Sequence, residues 1–389
     1  MRSILVTMSV LVFSLVAHGA ERVAPEVANR GLLLAASTGQ VEAIDFALDQ
    51  GADINARDDS PDRHTALTIA TRTGHLAVIE RLLVRGADVN AQTSVGVTAL
   101  MYASLADRVE FVERLIAHGA DPNIRDARQG HSAVHMAAKL GNIRTLIYLL
   151  DHGADPNVVA AGDGRTPLIL AVREAGGLDA VIELIARGAD VNMSSFDGYT
   201  ALMGASFRGH EQMIATLLLN GANPNAVSTD GRSALHRAAM RGRVEVVRQL
   251  LDAGATPNVR ADDGNTPLGA AVFYGQRNVV DLLMSTGLSP DEHARDGETP
   301  LMLAVRGNHP EILRTLLRHG ADADAESAGD GATALLLAAD RGLSDAVRLL
   351  LNAGADVNHR GRDGRTALAA ARAIGDDKTV ALLRSAGAY

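Results

Sequence analysis

The side chains able to do chemistry are a periodic set of aspartates and thirteen histidines. The aspartates recur in Asp-Gly pairs: Asp163-Gly164, Asp197-Gly198, Asp230-Gly231, Asp263-Gly264, Asp296-Gly297, Asp330-Gly331 and Asp363-Gly364. One pair per period spreads the carboxylates along the chain. They cannot converge on a single substrate atom, which paired acid–base catalysis requires. His118, His152 and His319 each stand one residue before a Gly. There an imidazolium would meet the negative end of a helix dipole. His118 and His152 fall in adjacent periods and could approach one another, but a metal bridge needs at least one more ligand. His75, His210 and His309 open helices and read as capping residues. Cysteine is absent, so there is no disulfide, thiol catalysis or zinc–thiolate centre. No His-Glu-x-x-His, Gly-x-Ser-x-Gly or Walker-type loop occurs, and Gly162-Asp163-Gly164-Arg165 is turn chemistry. The sequence thus assigns no catalytic, cofactor-binding or metal residue, and the reading is a non-enzymatic protein.

The elements that carry these residues repeat. Thr65, Thr98, Ser132, Thr166, Thr200, Ser233, Thr266, Thr299, Thr333 and Thr366 are spaced by 33 or 34 residues. A Gly follows 21 residues later in each period except one: Gly188 lies 22 after Thr166, so a residue is inserted near Gly176-Gly177. Fixed-period self-similarity is the mark of a stacked repeat architecture. Within one period the hydroxyl caps a short Ala/Leu-rich helix, as in Leu335-Leu336-Leu337-Ala338-Ala339. Gly74, Gly141, Gly209, Gly242, Gly275, Gly342 and Gly375 end that helix. A second helix carries one apolar stripe, Val78, Ile79, Leu82 and Leu83 in the first full copy. Gly86 and Ala87-Asp88-Val89-Asn90 then lead into an extended turn, and the Asp-Gly pair signals a tight hairpin. No proline falls in a helix interior.

Thr166-Pro167-Leu168, Ser233-Ala234-Leu235-His236 and Gly86-Ala87-Asp88-Val89-Asn90 resemble the ankyrin repeat, over roughly residues 24–389. The resemblance implies an all-α fold, an ankyrin repeat solenoid of helix-turn-helix plus β-hairpin units, about eleven repeats. The units run near 30–57, 58–92, 93–125, 126–159, 160–193, 194–226, 227–259, 260–292, 293–325, 326–359 and 360–389. At 8–10 Å between packed helices such a stack would be on the order of 100 Å long. The family's His after the opening motif survives only as His135 and His236, and Asp107 and Asn308 replace the helix-ending Gly. Asp and Asn tolerate the left-handed backbone better than most residues. Asp376, Asp377, Lys378 and Arg384 in the last unit suit a terminal cap, and the chain reads as a whole array.

Such repeats usually bind proteins through a concave face of hairpin tips and first-helix ends. Five aromatic residues fall at those positions: Phe196 and Tyr199 in a hairpin, Phe207, Phe273 and Tyr274 at first-helix ends. Arg208, Arg232, Met240, Arg241 and Arg306 fall at matching places nearby. Aromatics, Met and Arg are enriched at interfaces, so these ten residues are the candidate partner surface. Phe111, Phe46, Tyr148 and Tyr102 are assigned to packing. The formal net charge of −9 argues against a nucleic-acid partner. Arg2, an apolar run from Ile4 to Val16 and the small residues of Ala17-His18-Gly19 read as a signal peptide over 1–19, cut near Gly19 or Ala20, followed by a polar lead-in at 20–28. The expected protein is a monomeric, exported scaffold of the periplasm or exterior, with no membrane insertion once the leader is removed. A secreted effector acting on host proteins and a structural spacer of the envelope are the alternatives.

Overall fold

Each repeat begins where a hydroxyl meets the free N–H groups of a helix start. Thr65 Oγ1 accepts the Thr68 N–H at 3.3 Å, and Thr98, Thr166, Thr200, Thr266, Thr299, Thr333 and Thr366 repeat the contact. Each such cap contributes about 1 kcal/mol. Ser132 and Ser233 instead form capping boxes with His135 and His236, whose Nδ1 atoms accept the serine N–H at 3.1 and 3.2 Å. The opposite nitrogens reach the carbonyls of Arg165 and Asn265 in the next hairpin, each at 3.1 Å.

The computed structural model describes residues 23–173, 177–293 and 297–389. The leader at 1–19 with its cut sites, Gly176 of the inserted joint and Asp296 lie outside the described residues. The chain divides into two units, residues 1–190 and 191–389. The first holds helix pairs from Pro25–Thr38 with Val41–Asp49 to Pro167–Ala171 with Leu178–Ala186. Its opening helix starts inside the stretch read as a lead-in, because Pro25 takes the first helical position. The second unit runs from Ala201–Arg208 with Glu211–Leu219 to Ala367–Ala373 with Asp377–Ser385. In both, successive first helices pack on one another through Ala and Leu, as Leu67, Ala70 and Leu100 do in the first unit and Leu235, Ala238 and Leu268 in the second. Val78, Ile79, Leu82 and Leu83 are all buried, and the same stripe recurs as Val246, Val247 and Leu250. Full burial of each such side chain is worth about 1.5–3 kcal/mol.

The hairpins form differently from a turn with Asp and Gly both left-handed. Gly198 has φ 73°, whereas Asp197 is not among the positive-φ residues. The Gly198 N–H returns to the Ser195 carbonyl at 2.8 Å, and the Ser195 N–H reaches Tyr199 at 3.0 Å. This is a type I turn closed by one left-handed residue. Pairing beyond it is limited to single bridges, Arg57–Thr65, Ser194–Thr200 and Val227–Ser233, and no longer strand occurs among the described residues. Neighbouring tips bond through the backbone instead, Thr229 N–H to Asp197 O at 2.8 Å and Asp262 N–H to Asp230 O at 3.1 Å.

Two further rows of bonds tie many of the repeats to their neighbours. Asn225 accepts the Thr256 N–H at 2.7 Å and donates to the Gly254 carbonyl at 3.0 Å. Asn90, Asn123, Asn157 and Asn192 do the same, one repeat apart. Asp291 and Asp324 occupy this row with the acceptor half only. The second row corrects the capping assignment. His210 makes no cap bond at its helix N-cap, and His75 and His309 sit at helix N-caps without one too. Each of the latter two reaches back to a first-helix carbonyl of the preceding repeat, Ser37 and Phe273, both at 3.2 Å. Arg108, Asn142 and Gln276 make the equivalent contact to Thr71, Ser104 and Met240. His75, Arg108, Gln276 and His309 lie over the glycine that ends the preceding first helix, so Gly242 is required for room as well as for its φ of 68°. Asp107 (φ 51°) and Asn308 (φ 54°) take the left-handed turn without glycine; Arg63 (φ 51°) does so in a hairpin.

Candidate partner-binding surface

All ten candidate residues lie in the second unit, on the side formed by hairpin tips and first-helix ends. The backbone explains why. A residue just before or after the turn glycine, or in the last turn of a first helix, lies outside the stripe that packs on the next repeat. Phe196 at the tip of its turn is 66% exposed, and Tyr274 is 50% exposed. Phe273 is half-buried and meets Tyr274 edge-on, with ring centroids 5.2 Å apart. Phe207 is half-buried under Arg241, whose guanidinium carbon lies 4.5 Å from the ring centroid. Arg208 is exposed and Met240 half-buried.

Two of the arginines are engaged within the protein. Arg232 bridges Asp230 at 2.7 Å and Asp263 at 2.6 Å, the latter in the next hairpin. Arg306 donates to Glu298 of its own hairpin at 3.1 Å. Neither presents a free guanidinium, because a carboxylate stands within one hairpin's reach of each. Arg237, which the sequence reading passed over, completes the first cluster. It lies 3.3 Å from Asp230, donates to Ser228 Oγ at 3.1 Å, and its guanidinium sits 5.5 Å from the Tyr199 ring centroid. Its signal was the position after His236, one helical step from the hairpin acids. Burial alone would raise the Asp230 carboxyl, but hydrogen bonds from Ser228 and Arg232 and the charge of Arg237 hold it well below the usual carboxylate range.

The histidines do not assemble a metal centre. His118 Nδ1 turns back to the Arg114 carbonyl at 2.9 Å, and His152 Nδ1 to Tyr148 at 2.8 Å. His152 also stacks on the Tyr148 ring at 3.9 Å. Each imidazole is spent on its own helix end, and no group of three metal-ligating side chains occurs among the described residues. None of the ten candidate residues lines the open depression of about 410 Å³ between Asn308–Leu313 and Gly342–Ala346. No helix among the described residues is long and apolar enough to cross a membrane.

This architecture defines a class, and comparison with known proteins agrees. The ankyrin repeat family model, described as ankyrin repeats in three copies, matches residues 32–126, 118–195, 174–261, 202–294, 254–327 and 319–389. The chain belongs to the ankyrin repeat family. It is similar to the crystal structure of the human ASB11 ankyrin repeat domain, at 28% identity and a TM-score of 0.52, covering 57% of this chain and 98% of that one. No curated protein matches. Ankyrin repeats are generally protein–protein interaction scaffolds and typically lack catalytic activity.

Proposed function

We propose that the protein is an exported, non-enzymatic scaffold that binds a protein partner on the hairpin and first-helix side of residues 191–389. The observation that carries this is the exposure of Phe196 and Tyr274 on the same side as the Arg241–Phe207 stack. Large aromatics left in water on a rigid scaffold lose little ordering entropy when a partner covers them. Export rests on the leader pattern in the sequence.

The test uses the full chain expressed in its own cell. After cross-linking, partners recovered with the native protein are compared with those of a Phe196→Ala/Tyr274→Ala variant. The reading requires that a partner is lost while the thermal midpoint is retained. An unchanged partner set rejects the surface. N-terminal sequencing of the purified protein should begin at Ala20 or Glu21; a retained Met1 rejects export.

A further inference from the structure

Within the second unit, some arginines are matched by acid and others are not. Arg232, Arg248, Arg260, Arg306 and Arg365 all have carboxylate partners. Arg208, Arg241 and Arg243 have none among the described residues, and they stand together at one joint between repeats. Arg241 lies over Phe207 at 4.5 Å. Arg243 crosses Gly209 so closely that a methyl group there would meet its Nε at 2.7 Å. Arg208 stands between them in the chain, exposed. His210 reports the nearness of two of them: burial lowers its pKa, and the charges of Arg208 and Arg243 lower it further. Its Nε2 is buried without a hydrogen-bond partner. The carboxylates nearest in sequence, Glu211 and Glu245, form no ion pair with any of the three, and Glu245 pairs with Arg248 instead.

We propose that this cationic corner receives carboxylate side chains, so that the partner meets the surface through an acidic segment; the inference rests on the interface reading above. Three like charges gathered without a counter-ion repel one another, and an anion relieves that repulsion. Guanidinium groups match carboxylates in a planar, two-bond geometry that lysine cannot offer. Stacking on Phe207 fixes the plane of Arg241 beforehand, so less freedom is lost on binding. Tyr274 holds the register of Arg208 and Arg241 one repeat further on, and it and Phe196 offer exposed apolar surface in the same unit, which suits a protein segment. The net charge of −9 disfavours the extended phosphate charge of a nucleic acid, whereas a short acidic segment meets only the local cationic corner.

Fluorescence anisotropy with the full chain tests this. The probes are a short labelled peptide rich in Glu with a central Phe, the same peptide with Gln for Glu, the same with Lys for Glu, and a labelled DNA duplex. The Glu peptide should bind at least about tenfold more tightly than the Gln or Lys peptide, a preference that shrinks as salt rises. Arg208→Glu/Arg241→Glu should abolish the preference, while Arg248→Glu on an outer helix should not. Should charge reversal disturb folding by circular dichroism, Arg208→Gln/Arg241→Gln replaces it. Equal binding of the Glu and Gln peptides, an unchanged preference in the double variant, or a preference for DNA overturns the proposal. The cross-linked partner separates the two readings. A partner lost with Phe196→Ala/Tyr274→Ala but kept by Arg208→Glu/Arg241→Glu leaves the interface standing and removes its acidic specificity. A partner kept by both removes both.

Discussion

Asp376→Asn should stabilise the C-terminal repeat by about 1 kcal/mol. Asp376 occupies the position at which His75, Asn142, Gln276 and His309 donate to the preceding repeat. Its Oδ1 caps its own helix by accepting the Thr379 N–H at 3.2 Å. Its Oδ2 lies over Gly342, 3.3 Å from where a Cβ would stand, buried and without a partner. In the register of Gln276 and His309 the first-helix carbonyl open to this position is that of Asp340, so a carboxylate here sets an acceptor opposite an acceptor. An amide keeps the cap, since Asn and Asp cap equally well. It adds one hydrogen bond, worth about 0.5–1.5 kcal/mol, and pairs a group whose unmet desolvation costs about 1 kcal/mol or more. The lost carboxylate at a helix N-terminus returns roughly 0.3–1 kcal/mol of this. Hydrogen–deuterium exchange of the helices at 367–373 and 377–385 is the assay. A net gain of about 1 kcal/mol slows their exchange roughly fivefold, and Asp376→Ala, which removes the cap, should speed it. Equal or faster exchange in the Asn variant would refute the idea that this row works by donation across the joint.

The same logic applies to the asparagine row. Asp291→Asn with Asp324→Asn supplies donors for the Gly320 and Gly354 carbonyls and should raise the urea midpoint, by about 0.5–1 kcal/mol per site; no rise would show that water already serves those carbonyls equally well. Gly242→Ala should cost more than Gly254→Ala. Both have positive φ, 68° and 85°, but a methyl at 242 meets Gln276 whereas the space at 254 is open, so equal midpoints would remove the packing role. Stability should also fall on acidification. Burial holds His135 and His236 to a pKa of about 4, outweighing the bonds to Arg165 and Asn265 that would raise it. Unfolded histidine titrates near 6.5, so below that pH the unfolded chain takes up protons that the folded chain refuses. The stability is whole above pH 6.5 and declines toward pH 4, with a loss of about 2 kcal/mol per histidine already at pH 5. Urea midpoints at pH 7 and pH 5 should therefore differ, and less so after His135→Gln/His236→Gln; superimposed curves would contradict the burial argument.

Much of the fold was legible because one residue type does one local job. Thr at an N-cap and Gly in a left-handed turn act within a few residues of themselves, and Asp107 and Asn308 could be read as glycine substitutes on backbone grounds alone. What escaped were jobs done for a neighbour. His75 and His309 sit at helix starts and look like caps, yet their partners lie 38 and 36 residues back. The Asn90 row was read as plain turn residues, although both halves of each amide serve the following repeat. At the candidate surface, exposure of Phe196 and Tyr274 followed from repeat phase. The engagement of Arg232 and Arg306 did not, because it depends on which hairpin position across a gap happens to hold an acid.

The asparagine row also bears on how such a chain changes length. Each amide asks only for an N–H and a glycine carbonyl at a fixed offset in whatever copy comes next. Excision of residues 91–123 would bring Asn90 opposite the Asp155 N–H and the Gly153 carbonyl, the partners that Asn123 now holds. Gene duplication or loss in whole periods therefore leaves such a two-bond seam chemically intact, while a cut out of phase by a single residue would strand both halves of an amide at once.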